Sequence, residues 1–495
     1  MGLIQRQGLK YSIVNWIGVF IGALSTLFVF PNALEEYGLM RFILDTSALL
    51  FPLLTFGINS ITIRFFPYFE DKAADHNGFL GFLLIWGGIS LCIVMCVGLF
   101  FKDPIFAYYG AKSPLFKSYI WLIVPAMLFI TMNNILYQYS VNFKRIVIPS
   151  LLLDVSQKII LPILVIAYLY KWINLDLMLT FLILYLAAVT IGFIWYIIHI
   201  KSWFTRINFQ VFTPELRKKI KDYALFGLIG GLGALVISKL DTWLVSTFLS
   251  LRINGIYSIS AFVANVMEVP ARAVLGISIP LISKYWKDQN MLEIKNLYQK
   301  ASLNLLILGL LLFGVFWVSV DVFFLIIANS QEMITGKYVI LLLGIGRLID
   351  MATGLNNYIL NFSPYFKYSY IQIVIPALLS ALLGIWLTPI FGMVGAATAT
   401  LSAVFCYNAI SVILNWHFFK MQPFDKNTGF VIIIALIAFG IAFLIPFSLF
   451  HWLFAAIIRS GTFAILFLAL IWKSKVSPDL NSTIDKFIST TLIKK

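Results

Sequence analysis

Only three cysteines and four histidines occur in the 495 residues. So few exclude a disulfide framework, and Cys/His metal chemistry has little to draw on. Cys92 and Cys96 stand at i, i+4 on one helix face, but no further ligand lies nearby, and Cys406 falls in a distant apolar run. His76, His199, His417 and His451 sit at the ends of apolar runs or between them. The three thiols are expected to pack rather than ligate. Charge is scarce as well, at 12% of residues, with 21 acids against 36 bases. No polar interval is long enough to hold a soluble domain. A membrane enzyme acting on a polar substrate needs sizeable extramembrane structure, so that class is disfavoured.

What the chain has is apolar sequence. Hydrophobic residues make up 61% and the mean hydropathy is +0.94, against about 45–50% apolar usage in soluble domains. About fourteen runs are long enough to cross a bilayer, which takes about 20 residues each. They are 10–30, 39–65, 79–101, 118–141, 146–170, 177–200, 223–249, 256–282, 301–327, 338–360, 370–390, 395–416, 428–450 and 452–472. The expected fold class is therefore an all-α polytopic membrane protein. The first run is longer than the roughly 7–15 apolar residues of a signal peptide, so it is expected to stay as an anchor.

Lys and Arg set the orientation. With both termini inside, 24 of the 36 fall in cytoplasmic segments, 7 in outer segments and 5 within spans. That asymmetry predicts an even span count and cytoplasmic termini. It also accounts for the net charge of +15 without nucleic acid, because basic inner loops face anionic lipids.

The longest polar interval, 201–222, separates six spans from eight. Thr213 before Pro214 and Glu215 reads as a helix start, and the bases that follow suit an amphipathic helix on the inner surface. The expected organisation is an N-terminal bundle at 1–200, a basic linker at 201–222, a second bundle at 223–420, two further spans at 421–472 and a cytoplasmic tail at 473–495. The two halves look alike. Glu36-Tyr37-Gly38 and Asn254-Gly255-Ile256-Tyr257-Ser258 each open a second span, which predicts parallel repeats about an axis along the membrane normal.

Charges inside the spans point to function. Asp154 and Lys158, Lys239 and Asp241, Glu268 and Arg272, and Arg347 and Asp350 lie near span centres, with Arg459 alone in the last. Each would cost roughly 2.5–3.5 kcal/mol facing lipid, so all nine must face protein or a wet cavity. Asp154/Lys158 and Glu268/Arg272 are i, i+4 pairs and Arg347/Asp350 is i, i+3, so each can pair on its own helix. Such pairs either glue helices or line a polar pathway. Lys239 and Asp241, two apart, cannot pair well, and a network with Glu268 and Arg272 of the next span is expected. Arg459 snorkels, pairs with a distant carboxylate or binds an anionic ligand. Asp45 and Asp321 lie nearer outer ends and are expected to be hydrated. Asn15 in the first span suits helix packing or ligand contact. Pro270, between Glu268 and Arg272, should bend the helix and aim both inward. Gly227-Leu-Ile-Gly230-Gly231-Leu-Gly233 lacks the strand of a dinucleotide site and reads as a helix-packing tract or a flexible hinge. Glu35-Glu36 superficially suits a glycosyltransferase, but the outer loop around it is too short.

The order and spacing of Glu36-Tyr37-Gly38, Lys239-Leu-Asp241, Gly255-Ile-Tyr257-Ser258 and Ile279-Pro280-Leu-Ile-Ser283 resemble the polysaccharide-exporter branch of the MOP flippase superfamily. The resemblance implies two six-helix bundles in a V plus two C-terminal helices. It implies alternating access for an undecaprenyl-diphosphate-linked glycan in a bacterial inner membrane, alongside polysaccharide polymerase and export machinery. No cofactor is implied, and a proton, a sodium ion or the membrane potential is the expected coupling source. Lys239, Arg272, Arg347, Lys158, Arg459 and Asn15 are the candidate cavity residues. Asp241, Glu268, Asp350, Asp154 and Asp45 are the candidate charge network. The rival within the superfamily is a cation-coupled multidrug extruder; many of these use an acid in the first span, and none is present here. A membrane glycosyltransferase or polysaccharide polymerase is the third reading.

Overall fold

The computed structural model describes residues 3–71, 75–110, 113–143, 147–203, 206–446, 452–482 and 485. Lys72, Lys112, Lys144, Arg145, His451 and the last ten residues, all used in the sequence reading, lie outside the described residues. Among the described residues every regular element is helical. The principal helices are α1 (Leu3–Phe28), α2 (Leu34–Thr55), α3 (Ile58–Phe69), α4 (Phe79–Phe100), α5 (Ile123–Val141), α6 (Ser156–Leu169), α7 (Leu175–His199), α8 (Pro214–Phe248) and α9 (Leu251–Val266). They continue with α10 (Val269–Lys287), α11 (Met291–Trp317), α12 (Lys337–Thr353), α13 (Asn356–Phe362), α14 (Ile371–Phe419), α15 (Lys426–Phe443) and α16 (Trp452–Ser474). The protein is a polytopic all-α membrane protein.

Among the described residues eleven helices are long and apolar enough to span a bilayer, and the number is thirteen if each of two bent pairs is one span. One of the eleven includes α14, whose 49 residues extend about 73 Å at ~1.5 Å per residue. A bilayer core is about 30 Å thick, so α14 is long enough for two crossings. Its backbone breaks at Gly392, with φ 62° and ψ −144°, a region essentially reserved for glycine. The break falls between the two spans drawn at 370–390 and 395–416. Elsewhere one expected span is two helices: 39–65 divides into α2 and α3 at Phe56 and Gly57, both left-handed.

The 201–222 interval departs from expectation. Thr213 does cap a helix, accepting from the Leu216 amide, with Pro214 following. That helix is not a separate surface element, because it runs unbroken for 35 residues into the seventh span as α8. Leu216 and Ile220 are buried against Phe69, Phe79 and Phe212, which draws the segment into the protein and leaves Arg217, Lys218, Lys219 and Lys221 exposed.

By mutual contact the chain forms two compact units, 1–259 with 380–396, and 260–379 with 397–495. Their boundaries differ from the loop-drawn ones at 200 and 420. The core of the first joins α3, α4, α5 and α7 around Phe66, Phe69, Phe79, Phe193 and Tyr139. Here the glycine tract allows close approach: a Cβ on Gly227 would meet Ser60 at 2.8 Å and the Gly57 Cα at 3.2 Å. In the second unit, α11, α15 and α16 pack through Ile307, Val431, Phe463 and Phe467. Large apolar side chains such as Ile93, Leu99, Ile191 and Ile465 stay exposed, as surfaces solvated by lipid require.

Candidate functional site

Two clusters of charge stand out, one in each unit. In the first unit Asp45 of α2 is 3% exposed. It accepts from Nη2 of Arg41, one turn earlier, at 2.8 and 2.9 Å, and Lys239 of α8 reaches its Oδ1 at 3.1 Å. Asp241, also buried, accepts from the Tyr257 hydroxyl of α9 at 2.7 Å and from the Thr242 amide at 2.7 Å. Arg41, Lys239, Asp45 and Asp241 together carry no net charge.

This corrects two expectations. Asp45 is buried and doubly paired rather than hydrated. Lys239 pairs with Asp45, and Asp241 with Tyr257 and Thr242, while Glu268 pairs with Arg347, so the expected network does not form. Counting from the ends of α2, α8 and α9 at Leu34, Phe248 and Leu251, Asp45, Lys239 and Tyr257 lie about 16, 14 and 9 Å along their helices at ~1.5 Å per residue. Asp45 and Tyr257 are the residues within reach.

The Leu34 end of α2 and the Leu251 end of α9 touch. Asn254 donates to the Gly38 carbonyl at 3.0 Å. A Cβ on Gly38 would overlap the Leu251 carbonyl, and one on Gly255 the Leu34 carbonyl. Both glycines are therefore required by backbone approach. Tyr168 at the end of α6 donates to Glu36 at 2.8 Å, so this acid holds a helix end in the first turn of α2.

In the second unit α9 and α10 are bent by 46° across Met267 and Glu268. Pro270 has no N–H and crowds the carbonyl four residues back, which breaks the helix there. Glu268 consequently faces Arg347 of α12, its Oε2 3.4 Å from Nη1, and the expected Glu268/Arg272 ion pair does not form. Arg272 is exposed and has no ion pair among the described residues. The bend thus aims Glu268, but not Arg272, into the cluster. The expected Arg347/Asp350 pair is present at 3.1 Å, and Arg347 Nε also donates to Asn265 at 2.8 Å.

A ladder of amides extends this cluster. Asn408 of α14 donates to Asp350 at 2.7 Å and accepts from Thr353 and Asn356. Asn415 donates to the Asn356 carbonyl, and Gln372 bridges Asn357 and Ser411. Glu268, Asp350, Asn356, Asn357, Tyr358, Tyr407 and Asn408 line a cavity of about 210 Å³. Two carboxylates share one arginine there, leaving one negative charge in excess when all are ionised. The ladder was missed in sequence, though its signal is visible: Asn356 and Asn357 fall inside the apolar run 338–360, and Asn408 and Asn415 repeat at two helical turns inside 395–416.

The remaining candidates are dispersed. Lys158 in α6 lies over Gly18 of α1, where a Cβ would come within 3.3 Å of its Cδ. Asp154 occupies a π-helical turn, Leu151–Val155, directly before α6. Asn15 is half-buried in α1. Arg459 is 7% exposed; its Nε donates to the Ile445 carbonyl at 2.6 Å and its guanidinium lies over the Phe443 ring. It therefore serves the carbonyl end of α15, a partner type none of the three sequence readings named. Asp321 is exposed and paired with Lys337. Cys92 and Cys96 are exposed and free, and no metal-binding cluster occurs among the described residues.

A family model described as "Polysaccharide biosynthesis protein" matches residues 12–286. The chain belongs to this family. No match to a curated protein is found. Among solved structures, the lipid II flippase MurJ in an inward closed conformation superposes with a TM-score of 0.70 at 14% identity, covering 96% of this chain and 99% of that one. An inward-facing MATE multidrug resistance transporter of the MOP superfamily matches at 0.61 and 13%, covering 84% of this chain and 94% of that one. A MOP superfamily transporter from Pyrococcus furiosus matches at 0.54 and 14%, over 85% and 96%. The family member thus has the fold of MOP superfamily transporters.

Proposed function

We propose that the protein moves an undecaprenyl-diphosphate-linked oligosaccharide, such as an O-antigen, capsule or exopolysaccharide repeat unit, from the cytoplasmic to the outer leaflet by alternating access. The carrying observation is membership of the polysaccharide biosynthesis family, matched over 12–286. The flippase named among the structural relatives supports the reading at the level of fold. In this reading the protein is a transporter without catalytic activity, held in a bacterial inner membrane with both termini cytoplasmic, and it works beside a polysaccharide polymerase and export machinery. The multidrug reading is disfavoured because α1 contains no acidic residue.

The diphosphate needs a cation not already committed. Lys239 is held by Asp45, Arg347 by Glu268 and Asp350, and Arg459 by Ile445. Arg272 is exposed and has no ion pair among the described residues, so it is the residue assigned to the diphosphate. Coupling is assigned to the Glu268–Arg347–Asp350 cluster rather than to Asp241, whose surroundings are already neutral. The excess negative charge suits a proton or a sodium ion, and about 210 Å³ holds several waters at ~30 Å³ each.

The test is reconstitution in vesicles with a fluorescent undecaprenyl-diphosphate oligosaccharide, read by its accessibility to an external glycosidase. Wild-type protein should move it, and well-inserted Arg272→Ala should lose at least about tenfold, one missing charge-assisted hydrogen bond being worth ~1.5–3 kcal/mol. Extrusion of ethidium with no movement of the lipid-linked glycan would sink the proposal. Normal movement by Arg272→Ala would refute only the role of that residue.

A further inference from the structure

A cavity of about 760 Å³ in the second unit lies apart from the charge cluster. It is lined by Trp286 and Lys287 at the end of α10, Gln289 and Met291 at the turn into α11, Phe362 at the end of α13 and Phe366 just after it. Every lining segment belongs to a loop that the Lys and Arg asymmetry puts on the inner face. Lys287 lines it; in sequence Lys284, Lys295 and Lys367 lie near the lining residues, with the acids Asp288 and Glu293, while Lys300 is paired with Asp479.

Its walls combine apolar rings with unsatisfied polarity. Phe362, Phe366 and Met291 remain exposed. The Trp286 ring is braced edge-on against Phe419, with centroids 5.1 Å apart. Its indole N–H is buried and has no partner among the described residues. Buried donors are normally paired, so a solitary one beside an exposed lysine in a ligand-sized cavity points to an absent acceptor. Interfacial tryptophan alone is ordinary in membrane proteins, and the Trp86 N–H is also buried without a partner among the described residues; the adjoining cavity with its lysine is what sets Trp286 apart.

We propose that this cavity seats the headgroup of an anionic phospholipid of the inner leaflet, with Lys287 facing the phosphate and the Trp286 N–H donating to it. The acyl chains lie against the exposed rings of Phe362 and Phe366. The site is separate from the transport pathway and rests on the inner-face placement of these loops, not on the identity of the transported glycan.

The full-length protein, with its three native cysteines replaced, carries a fluorophore at Met291→Cys and is reconstituted in phosphatidylcholine vesicles. Doping with brominated phosphatidylglycerol should quench the label several-fold more than doping with brominated phosphatidylcholine. Lys287→Glu, at an exposed position that folding tolerates, should reduce the preference by about fivefold or more, consistent with the usual worth of one basic residue at an anionic surface. Trp286→Phe, which keeps the ring against Phe419, should also reduce it. Equal quenching by the two lipids, or an unchanged preference in Lys287→Glu, overturns the proposal. Displacement of the brominated lipid by undecaprenyl diphosphate, with Lys287→Glu abolishing glycan movement, overturns it as well, because the cavity would then be a substrate entrance.

Discussion

Asp45→Asn should be among the most destabilising polar substitutions in the protein, and its cost should exceed that of Lys239→Met. Asp45 holds two cations, Arg41 at 2.8 Å and Lys239 at 3.1 Å, and its own side chain is 4% exposed. Removing one member of a fully buried ion pair costs about 3–5 kcal/mol, because the partner is left charged and unsolvated. The Lys239 side chain is 34% exposed and can turn part of its charge towards water, which discounts the upper end. About 3 kcal/mol is therefore expected for Asp45→Asn, which is ~150-fold in the folded to unfolded ratio at 1.4 kcal/mol per tenfold. Lys239→Met leaves the Arg41–Asp45 pair in place and should cost about 1–2 kcal/mol, the worth of one partly exposed charged hydrogen bond. In the double variant the asparagine no longer needs the lysine, so the two costs should fall short of additivity by ~1 kcal/mol or more. Unfolding in mixed micelles by rising sodium dodecyl sulfate, followed by tryptophan fluorescence, reads all three. Equal costs for the single variants, or additivity within about 0.5 kcal/mol, would refute the assignment of Asp45 as the shared acid.

Two further substitutions test the backbone and the last helix pair. Gly392→Ala should cost about 1–3 kcal/mol from dihedral strain alone, since the nearest atom to its new Cβ is 4.0 Å away; Gly88→Ala, helical with open space around it, should be neutral or stabilising in the same assay. Arg459→Met should lower stability by about 1–3 kcal/mol by orphaning the Ile445 carbonyl while glycan movement stays intact, and Arg459→Lys should not restore it because the planar fork is missing. Loss of glycan movement at full stability would return Arg459 to the list of ligand contacts.

The all-helical membrane class was legible because apolar run length alone carries it, and so was the glycine tract at 227–233, which packs as its small residues suggest. Arg347/Asp350 was legible because i, i+3 pairing is a property of one helix. Partners on different helices were not. Lys239 and Asp45 are almost two hundred positions apart, and finding them requires counting depth from helix ends whose positions the sequence gives only to within a turn. Asp45 looked hydrated because α2 was placed five residues too late, at 39 instead of Leu34; the earlier start carries it about 7 Å deeper at ~1.5 Å per residue. Glu268 was misread for a different reason. Regular i, i+4 geometry was carried across Pro270, where the helix does not continue. The basic segment after Thr213 was misread because its charged face is amphipathic whether the helix stops or continues, and only burial of Leu216 and Ile220 tells which.

The two clusters differ in a way that bears on how a transporter of this fold stores and releases charge. In the first unit two acids meet two bases, and the Asp241 oxygens are met by Tyr257 and Thr242. Adding a proton or a metal ion there would have to displace an existing partner. In the second unit two acids meet one base, and both are about 30% exposed beside a cavity. An added cation there displaces nothing and relieves the repulsion between the carboxylates. Asn408 strengthens the asymmetry, since its amide ties Asp350 to Thr353 and Asn356, and through them to α13. A change in the charge of Asp350 therefore acts on the geometry of α12, α13 and α14 together. In the proposed cycle the first cluster is a fixed brace and the second is the element whose occupancy changes, so Asp350→Asn should alter the ion dependence of transport while Asp241→Asn should alter stability.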